Sequence, residues 1–356
     1  MRRGQITTAT PTSITSAISG YKPGTGTEAG AMAGMRVKSR NSKKKRRLCL
    51  KIIALLCIIP WLFSYISDAN ININSATLGS AANFSSKSTG VVNHQGISIH
   101  STNAILMDLE SGAILLDIRG TDKMYPASLT KIMTAIVALE QISDLNEPVI
   151  LREEIFQPIN EANAVIAGFL PGESVRAIDL LYGLILSSGA ECAIGLAEHV
   201  AGSEKAFVEL MNNKAKEIGL SGSNFTNTTG LHNKNQYSTA MDMALLFKYA
   251  LADSTFYEII TSPRHYTQPS NRRTDGVTLF STMFSRMESA DMLNGHILGG
   301  KTGYTKEAGQ CLASLAVIDN TNYILITTGA AGNNQTQRLH IDDAFAVYSA
   351  LLYAQY

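Results

Sequence analysis

The sequence predicts an α+β fold in which one antiparallel sheet is assembled from both ends of the folded part, with a helical lobe inserted between them. Residues 104–118 are patterned as two short strands, residues 147–257 have mainly helical apolar periods, and strand patterns return at 295–328 before a last helix at 338–353. Helices would cover this sheet, and we expect functional side chains between the sheet and the lobe.

The first predicted elements are a hairpin and a buried helix. Strands at 104–108 and 113–118 flank a Leu-Glu-Ser-Gly turn. Pro126 then marks a helix start, because its fixed φ suits the first helical turn. Apolar residues between 132 and 139 follow at the spacing of a buried helix.

The lobe and the late strands are predicted from longer patterns. Three helical segments are expected in the lobe, at 180–185, 193–200 and 206–218. Gly219 ends the last of them, and the Thr-Ala-Met-Asp sequence at 239–242 is typical of a capping box that opens another helix. Three strands are expected afterwards, at 295–303, 311–318 and 323–328.

The 356-residue chain has a formal net charge of +1, which averages two unlike parts. Residues 1–51 contain 12 Lys and Arg and a single acid, Glu28, whereas the remainder contains 18 basic and 28 acidic residues. The folded part is therefore acidic, which argues against nucleic acid as its partner.

An apolar segment follows the basic cluster at 43–47, and its length suits one bilayer crossing. Basic flanks stay on the cytoplasmic side, so the chain after the segment is expected outside the cell membrane. The predicted organisation is a basic cytoplasmic tail at 1–47, a single-pass transmembrane anchor at 48–66, a linker at 67–96 and an extracytoplasmic domain at 97–356. A cleaved signal peptide is the alternative, because the strictly apolar core at 52–63 is short.

Ser128 and Lys131 point most directly to chemistry. At positions i and i+3 they share a helix face, so the lysine amine can take the proton of the serine hydroxyl, which is otherwise a poor nucleophile. A run of Lys301, Thr302 and Gly303 on a predicted strand would add positive charge for a substrate carboxylate or an oxyanion. The simpler interpretation is a helix-start serine and a solvated lysine, because Ser-x-x-Lys occurs three times in the chain.

Other motifs carry less weight. Residues 295–302 match the P-loop pattern, but no buried strand precedes them and no helix follows, so a nucleotide site is not expected. No Cys/His spacing resembles a zinc site, and we expect no metal and no cofactor. Cys192 and Cys311 lie among apolar residues in the sequence and are expected to be buried free thiols. A disulfide between them is the alternative.

Two motifs in order, Tyr-Pro-Ala-Ser-Leu-Thr-Lys at 125–131 and Lys-Thr-Gly-Tyr-Thr at 301–305, resemble those of the serine D-alanyl-D-alanine carboxypeptidases, the low-molecular-mass penicillin-binding proteins. The resemblance covers about residues 97–356. It implies a β-lactamase/transpeptidase-like fold, with an antiparallel five-stranded sheet flanked by helices and an inserted helical lobe.

The resemblance also implies a mechanism without a cofactor. Ser128 would attack the carbonyl between the two terminal D-alanines of a peptidoglycan stem peptide, and Lys131 would accept its proton. Backbone N–H groups of Ser128 and Tyr304 would form the oxyanion hole. The substrate-binding residues would be Lys301, Thr302, Gly303 and Tyr304. β-Lactams resemble the D-Ala-D-Ala end and would acylate the same serine.

The chain departs from the family at its second motif, Ser-x-Asn. The matching residues are Ser188, Gly189 and Ala190, so the hydroxyl is kept and the amide is lost. Ser188 would still pass a proton between the lysines and the leaving amine, and its simpler interpretation is a helix N-cap. Either Glu191 or a water replaces the amide, or deacylation and substrate choice are altered, and we expect activity with shifted specificity. A similar Ser-Gly-Ala-Glu-Cys stretch occurs in penicillin-sensitive carboxypeptidases linked to glycopeptide resistance.

Some interpretations stay open at this point. Arg338, at the start of the last helix, either pairs with the substrate carboxylate or is a solvated arginine. Many family members carry a further β-rich domain and a C-terminal anchor, so the N-terminal segment is expected to be the anchor here. The alternatives to a carboxypeptidase are a transpeptidase or β-lactamase on the same fold, and a penicillin-sensing or wall-binding module that acylates without turnover.

Overall fold

The structure is a computed structural model that describes residues 92–94, 96–333 and 337–353. The predicted tail, the predicted anchor and most of the predicted linker lie outside these residues. Within the described part of the chain, no helix has both the length and the hydrophobicity to cross a bilayer.

The described residues form twelve strands and eight α-helices. The strands are β1 (Val92–His94), β2 (Ile97–Ile99), β3 (Asn103–Asp108), β4 (Ile114–Ile118), β5 (Pro148–Ile150), β6 (Ser174–Arg176), β7 (Arg264–Tyr266), β8 (Thr278–Phe280), β9 (Asp291–Met292), β10 (Gly295–Thr305), β11 (Gly309–Ile318) and β12 (Thr321–Ala330). The helices are α1 (Thr130–Gln141), α2 (Phe156–Glu161), α3 (Ala177–Ile185), α4 (Ala190–Ala201), α5 (Glu204–Glu217), α6 (Ala240–Leu251), α7 (Ser254–Thr261) and α8 (Leu339–Tyr353).

Six strands form one antiparallel sheet in the order β4-β3-β12-β11-β10-β9. The early strand β3 pairs with the last strand β12, with Ile105 opposite Ile326, which confirms that both chain ends build the sheet. The predicted number of five strands was wrong by one. The additional strand β9 is only two residues long and pairs with the start of β10, too short for a periodic pattern to indicate it.

The sheet separates two apolar cores. Along β3, Ile105 belongs to the core on the lobe side and Leu106 to the core on the opposite face, as the two-residue period of a strand requires. Helix α8 covers the second core with Ile341, Val347 and Tyr348. Each fully buried Ile or Leu contributes about 1.5–3 kcal/mol, so the two faces together hold the central strands in place.

Helix α1 runs through the core on the lobe side. All residues from Thr130 to Ala138 are buried, among them Ile132 and Ile136, which confirms the predicted apolar period. The helix is enclosed rather than half-exposed, because α3, α4 and α5 from the lobe and α6 all pack against it. A polar side chain on its first turn is therefore removed from bulk water.

The long predicted elements are confirmed, whereas the short ones were missed. The β5–β6 and β7–β8 pairs are two-stranded sheets with strands of three residues, and β1, inside the predicted linker, also has three. Such strands hold too few residues to display a period.

The predicted capping box at the start of α6 forms only in part. The Asp242 backbone N–H donates to Thr239 Oγ1 at 2.9 Å, as expected. The Asp242 carboxylate instead accepts hydrogen bonds from the Gly222 N–H and the Ser223 hydroxyl. The Asp242 carboxylate therefore links α6 to the loop at residues 222–223. These two donors take the place of the Thr239 backbone N–H, which the carboxylate of a complete capping box would accept.

Two expectations about single motifs are also resolved. Cys192 and Cys311 are buried free thiols, as predicted. Residues 295–302 lie inside the continuous strand β10. A P-loop needs a loop whose N–H groups cradle phosphate before a helix, so the pattern match has no structural counterpart.

Candidate active site

Ser128 lies in a 3₁₀ turn, Ala127–Leu129, that leads directly into α1. The turn is tight, since Ala127 has a left-handed φ of 46°, a conformation that is strained for a residue with a Cβ. Gly230 packs so closely against it that a Cβ there would overlap the Ala127 carbonyl oxygen. The neighbours Ala127 and Leu129 are buried, while Ser128 itself is half-buried, so its hydroxyl is held in a fixed place.

Lys131 lies one turn further along α1 and is only 3% exposed. Its Nζ is 3.2 Å from Ser128 Oγ and donates to the Thr229 carbonyl oxygen at 2.5 Å. Burial lowers the pKa of Lys131 to about 8, although the nearby Glu191 and Cys192 act in the opposite direction. The interpretation as a solvated lysine is therefore wrong, because the surrounding helices enclose the first turn.

Lys301 on β10 is fully buried and donates from Nζ to the Thr302 carbonyl oxygen at 3.0 Å. Burial, and secondly the positive charge of Lys131, hold the pKa of Lys301 well below its usual range. Two lysine side chains from distant parts of the sequence thus act on each other electrostatically. An anionic ligand would favour the charged form of both, because it would offset desolvation and mutual repulsion.

The strand residues after Lys301 lie against the serine turn. A Cβ on Gly303 would be 3.1 Å from the Ser128 backbone nitrogen, so the strand backbone approaches this N–H closely. Thr302 Oγ1 is hydrogen-bonded to Thr282 Oγ1 at 2.8 Å, and Tyr304 is half-buried. The structure therefore brings the two predicted motifs together, with the strand backbone at Gly303 in close contact with the serine turn.

Ser188 lies between α3 and α4, 7% exposed, with a left-handed φ of 61°. It is not a helix N-cap, because the N-cap of α4 is Gly189. The Thr282 N–H donates to the Leu186 carbonyl oxygen at 2.9 Å, which links this turn to the segment that contacts Thr302. Among the described residues, no hydrogen bond joins the Ser188 hydroxyl to Lys131 or to Lys301, so its proton-transfer role stays a prediction.

Position 190, where the family carries an amide, is a buried alanine at the first residue of α4. The next residue, Glu191, turns its carboxylate away from a direct hydrogen bond to Lys131. Its Oε1 accepts the backbone N–H groups of Ala167, Gly168 and Phe169 at 2.6, 3.0 and 3.4 Å. The Glu191 carboxylate therefore does not take over the hydrogen bonds expected of the missing amide. Its negative charge nevertheless raises the pKa of Lys131.

Arg338 precedes α8, and its Nη2 lies 3.3 Å from Glu288 Oε1 in a solvent-exposed ion pair. An exposed pair of this kind contributes little to stability. A carboxylate of a ligand would compete readily with Glu288 for this guanidinium, and pairing of Arg338 with a substrate stays a prediction.

A groove of about 160 Å³, including space open to solvent, lies beside the serine turn. It is lined by Tyr125, Pro126, Ala127, Gly230, Leu231, His232, Asn233, Gln236 and Thr305. The rings of Tyr125 and His232 meet edge to face at 4.7 Å, and His232 Nδ1 is 3.8 Å from Glu307 Oε2. The contribution of residues 229–236 was missed from the sequence, because no local pattern links this loop to Ser128.

The arrangement supplies what nucleophilic acyl transfer needs: a serine hydroxyl, a desolvated amine next to it and a second lysine from the sheet. Within the described residues there is no cluster of His, Cys, Asp and Glu that would bind a metal ion.

The fold places the Ser128 hydroxyl beside the buried Lys131 amine, a pairing typical of proteins with an active-site serine. Residues 89–332 match the family model described as D-alanyl-D-alanine carboxypeptidase, and the chain belongs to this family. The match includes both motifs of the site.

Relatives and solved structures agree with this assignment. The chain is 30% identical over 254 residues to D-alanyl-D-alanine carboxypeptidase DacF of Bacillus subtilis, covering 69% of this chain and 62% of the relative. It is 32% identical over 280 residues to DacC of Escherichia coli, covering 75% and 65%. The chain thus spans just under two thirds of these relatives' length.

Two solved structures share the fold. A D-alanyl-D-alanine carboxypeptidase from Mycobacterium tuberculosis is 27% identical with a TM-score of 0.63, covering 74% of this chain and 96% of that one. A Streptomyces DD-transpeptidase is 24% identical with a TM-score of 0.63, covering 73% and 100%.

Proposed function

We propose that this protein is a membrane-anchored serine D,D-carboxypeptidase that removes the terminal D-Ala from peptidoglycan stem peptides through an acyl-enzyme on Ser128. The observation that carries the proposal is the contact of 3.2 Å between Lys131 Nζ and Ser128 Oγ, with the amine buried and its pKa lowered to about 8. The family membership supplies the substrate class.

The reaction would proceed in two steps. The neutral Lys131 amine takes the Ser128 proton while Oγ forms a bond to the carbonyl carbon between the two D-alanines. The oxyanion accepts hydrogen bonds from the Ser128 and Tyr304 backbone N–H groups, for which the close approach of the strand at Gly303 gives support. The C–N bond then breaks, the proton on Lys131 passes to the leaving D-Ala amine, and water later hydrolyses the ester.

Lys301 and Thr302 would bind the terminal carboxylate of the substrate. Lys301 is desolvated before a ligand arrives, so an incoming carboxylate meets an amine that has already lost its water and favours the charged form of that amine. The same pairing would orient the carboxylate of a β-lactam, which leads to a stable acyl-enzyme.

The test uses the full chain in detergent. Labelled penicillin and a peptide ending in D-Ala-D-Ala would be incubated separately with wild type, Ser128→Ala and Ser98→Ala. Ser98 is an exposed strand serine and serves as the matched control. We expect labelling and D-Ala release by wild type and Ser98→Ala, and neither by Ser128→Ala. Labelling without release would favour a penicillin-sensing module, and absence of labelling would contradict acyl transfer.

A transpeptidase is the second candidate, because a solved structure that shares the fold is a Streptomyces DD-transpeptidase. The two activities differ only in the acceptor of the acyl group. Adding an acceptor amine to the peptide assay separates them, since a transpeptidase forms a new peptide product at the expense of the free acid.

A further inference from the structure

Glu191, the second residue of α4, is a fully buried carboxylate beside the candidate site. One oxygen, Oε1, accepts three successive backbone N–H groups, from Ala167 to Phe169. These residues belong to an irregular segment between α2 and β6. Three donors on one carboxylate oxygen form a strong clamp, because charge-assisted hydrogen bonds are about twice as strong as neutral ones.

The segment that Glu191 binds, residues 167–169, is continuous with a backbone contact to the turn that contains Ser188. The Val165 carbonyl oxygen accepts the Ala190 N–H at 2.8 Å, and the Gly189 N–H donates to the Gly183 carbonyl oxygen at 3.0 Å. Ser188 lies directly before these two residues in a left-handed conformation that a serine adopts only when its surroundings fix it. Loss of the clamp would release this conformation.

The second oxygen, Oε2, is buried and accepts no hydrogen bond from the described residues. It faces the Ser188–Gly189 turn, since a Cβ on Gly189 would lie 2.9 Å from it. A buried carboxylate oxygen without a donor is costly unless a cation compensates its charge. The Glu191 charge raises the pKa of Lys131, and burial in turn raises the pKa of Glu191 itself.

We propose that Glu191 is a positioning residue for the Ser128–Lys131 reaction: one oxygen clamps residues 167–169 and thereby the Ser188 turn, while the other sets the charge balance at Lys131. The assignment rests on the proposed acyl transfer. It gives a role to a residue that neither contacts the serine nor replaces the family amide.

The charge of Glu191 should influence the pH dependence of acylation through Lys131. The charged and titratable groups around Lys131 are Glu191 and Cys192 on α4 and Lys301 on β10. Burial disfavours the Lys131 ammonium, and Glu191 is the main group that favours it. Removal of the Glu191 charge would lower the pKa of Lys131 further, so the amine would become neutral, and reactive, at a lower pH.

The experiment compares Glu191→Gln, Glu191→Ala and a matched control, Glu173→Gln, in the full chain. Glu173 is also buried and clamps the same segment, by accepting the Leu170 N–H at 2.7 Å and the Ser270 hydroxyl at 2.5 Å, but it is not among the groups that shift Lys131. The amide oxygen introduced by Glu191→Gln can still accept the three N–H groups, so this variant separates charge from clamp. The measured quantities are the acylation rate by penicillin from pH 6 to 10 and the melting temperature.

We expect Glu191→Gln to shift the midpoint of the acid limb downward by about half a pH unit or more, while Glu173→Gln leaves it at the wild-type value. Glu191→Ala loses the clamp and is expected to acylate at least about tenfold more slowly at every pH. Two results would overturn the role of Glu191 and leave the proposed function intact. One is a Glu191→Gln variant whose pH midpoint of acylation equals that of wild type, and the other is a Glu191→Ala variant that acylates at the wild-type rate. Absence of acylation in wild type would overturn the proposed function and this assignment with it.

Discussion

Lys131 is the residue whose surroundings decide the chemistry of the site. An exposed lysine has a pKa of about 10.4 and is almost entirely protonated at neutral pH. Because burial lowers the pKa of Lys131 to about 8, a useful fraction of neutral amine exists there near pH 7. The proposed base, Lys131, would therefore depend on desolvation rather than on a histidine.

We predict that the rate of acylation by penicillin rises with pH and is half-maximal near pH 8, because the reactive form of Lys131 is the neutral amine. The measurement is the second-order rate constant across pH 6–10 at constant ionic strength. A Lys131→Arg variant, which stays protonated, serves as the comparison and should lose at least about 100-fold in rate. A midpoint near pH 10 would refute Lys131 as the base.

Gly230 shows how the serine turn depends on a missing side chain. Its φ of 81° is left-handed, and a Cβ would overlap the Ala127 carbonyl oxygen. We predict that Gly230→Ala displaces the turn and lowers the acylation rate at least about tenfold.

The control for this prediction is Gly202→Ala. Gly202 also has a left-handed φ, of 74°, but a Cβ there would have no heavy atom within 4 Å. Both variants incur the cost of an alanine in the left-handed region, about 1–2 kcal/mol, and only Gly230→Ala adds a clash at the site. Equal acylation by both variants would mean that the turn tolerates the displacement.

At the scale of elements, Asp179 joins helix α3 to strand β7. The buried carboxylate accepts two hydrogen bonds from Arg176, at 2.8 and 3.0 Å, and its Oδ1 is 2.7 Å from His265 Nε2. Burial raises the pKa of Asp179, but the bonds from His265 and Arg176 outweigh it and hold the pKa below its usual value. The hydrogen bonds from Arg176 and His265 therefore stabilise the ionised Asp179 carboxylate, which links the helical lobe to β7.

We predict that Asp179→Asn lowers the free energy of unfolding at pH 7 by about 3 kcal/mol, the low end for a broken buried ion pair, because Arg176 is partly exposed. A carboxyl whose folded pKa is depressed contributes stability above its unfolded pKa of 3.8, and this contribution is lost as the pH falls through the folded pKa. The difference between variant and wild type should therefore shrink below about pH 4 in urea titrations.

The matched control is Asp122→Asn, since Asp122 forms the same i,i+3 pair with Arg119 at 2.7 Å but on the surface. It should cost at most about 1 kcal/mol. Equal losses for both aspartates would show that burial of Asp179 has no bearing on stability.

At the scale of the whole molecule, the proposed anchor would decide on which side of the membrane the folded domain lies. The apolar segment 48–66 and the basic tail before it predict insertion with the folded domain outside. We predict that the full chain stays with membranes after extraction at alkaline pH, whereas a chain without residues 1–66 is released. N-terminal sequencing of the mature protein is the second readout. A start after residue 66 would contradict an uncleaved anchor and support a signal peptide.

The long elements were predictable because each carries its own pattern. The buried period of α1 and the apolar runs of β11 and β12 span many residues. Packing against other elements therefore did not change the type of secondary structure that these patterns predict. The three-residue strands of the two-stranded β5–β6 and β7–β8 sheets depend on pairing between segments separated along the chain, and nothing local indicates them. The sixth strand of the sheet escaped prediction because its two residues are too few to form a pattern.

The sequence by itself determined the chemical identity of the site: a serine and lysine one helical turn apart, a second lysine on a strand, and a further serine that lacks the family amide two residues after it. Only the tertiary structure decided how these groups behave. Burial of Lys131, the approach of Gly303 to the Ser128 N–H and the Glu191 clamp on residues 167–169 join segments far apart in the chain. Desolvation and electrostatic coupling depend on distance in space, and a linear pattern does not contain that distance.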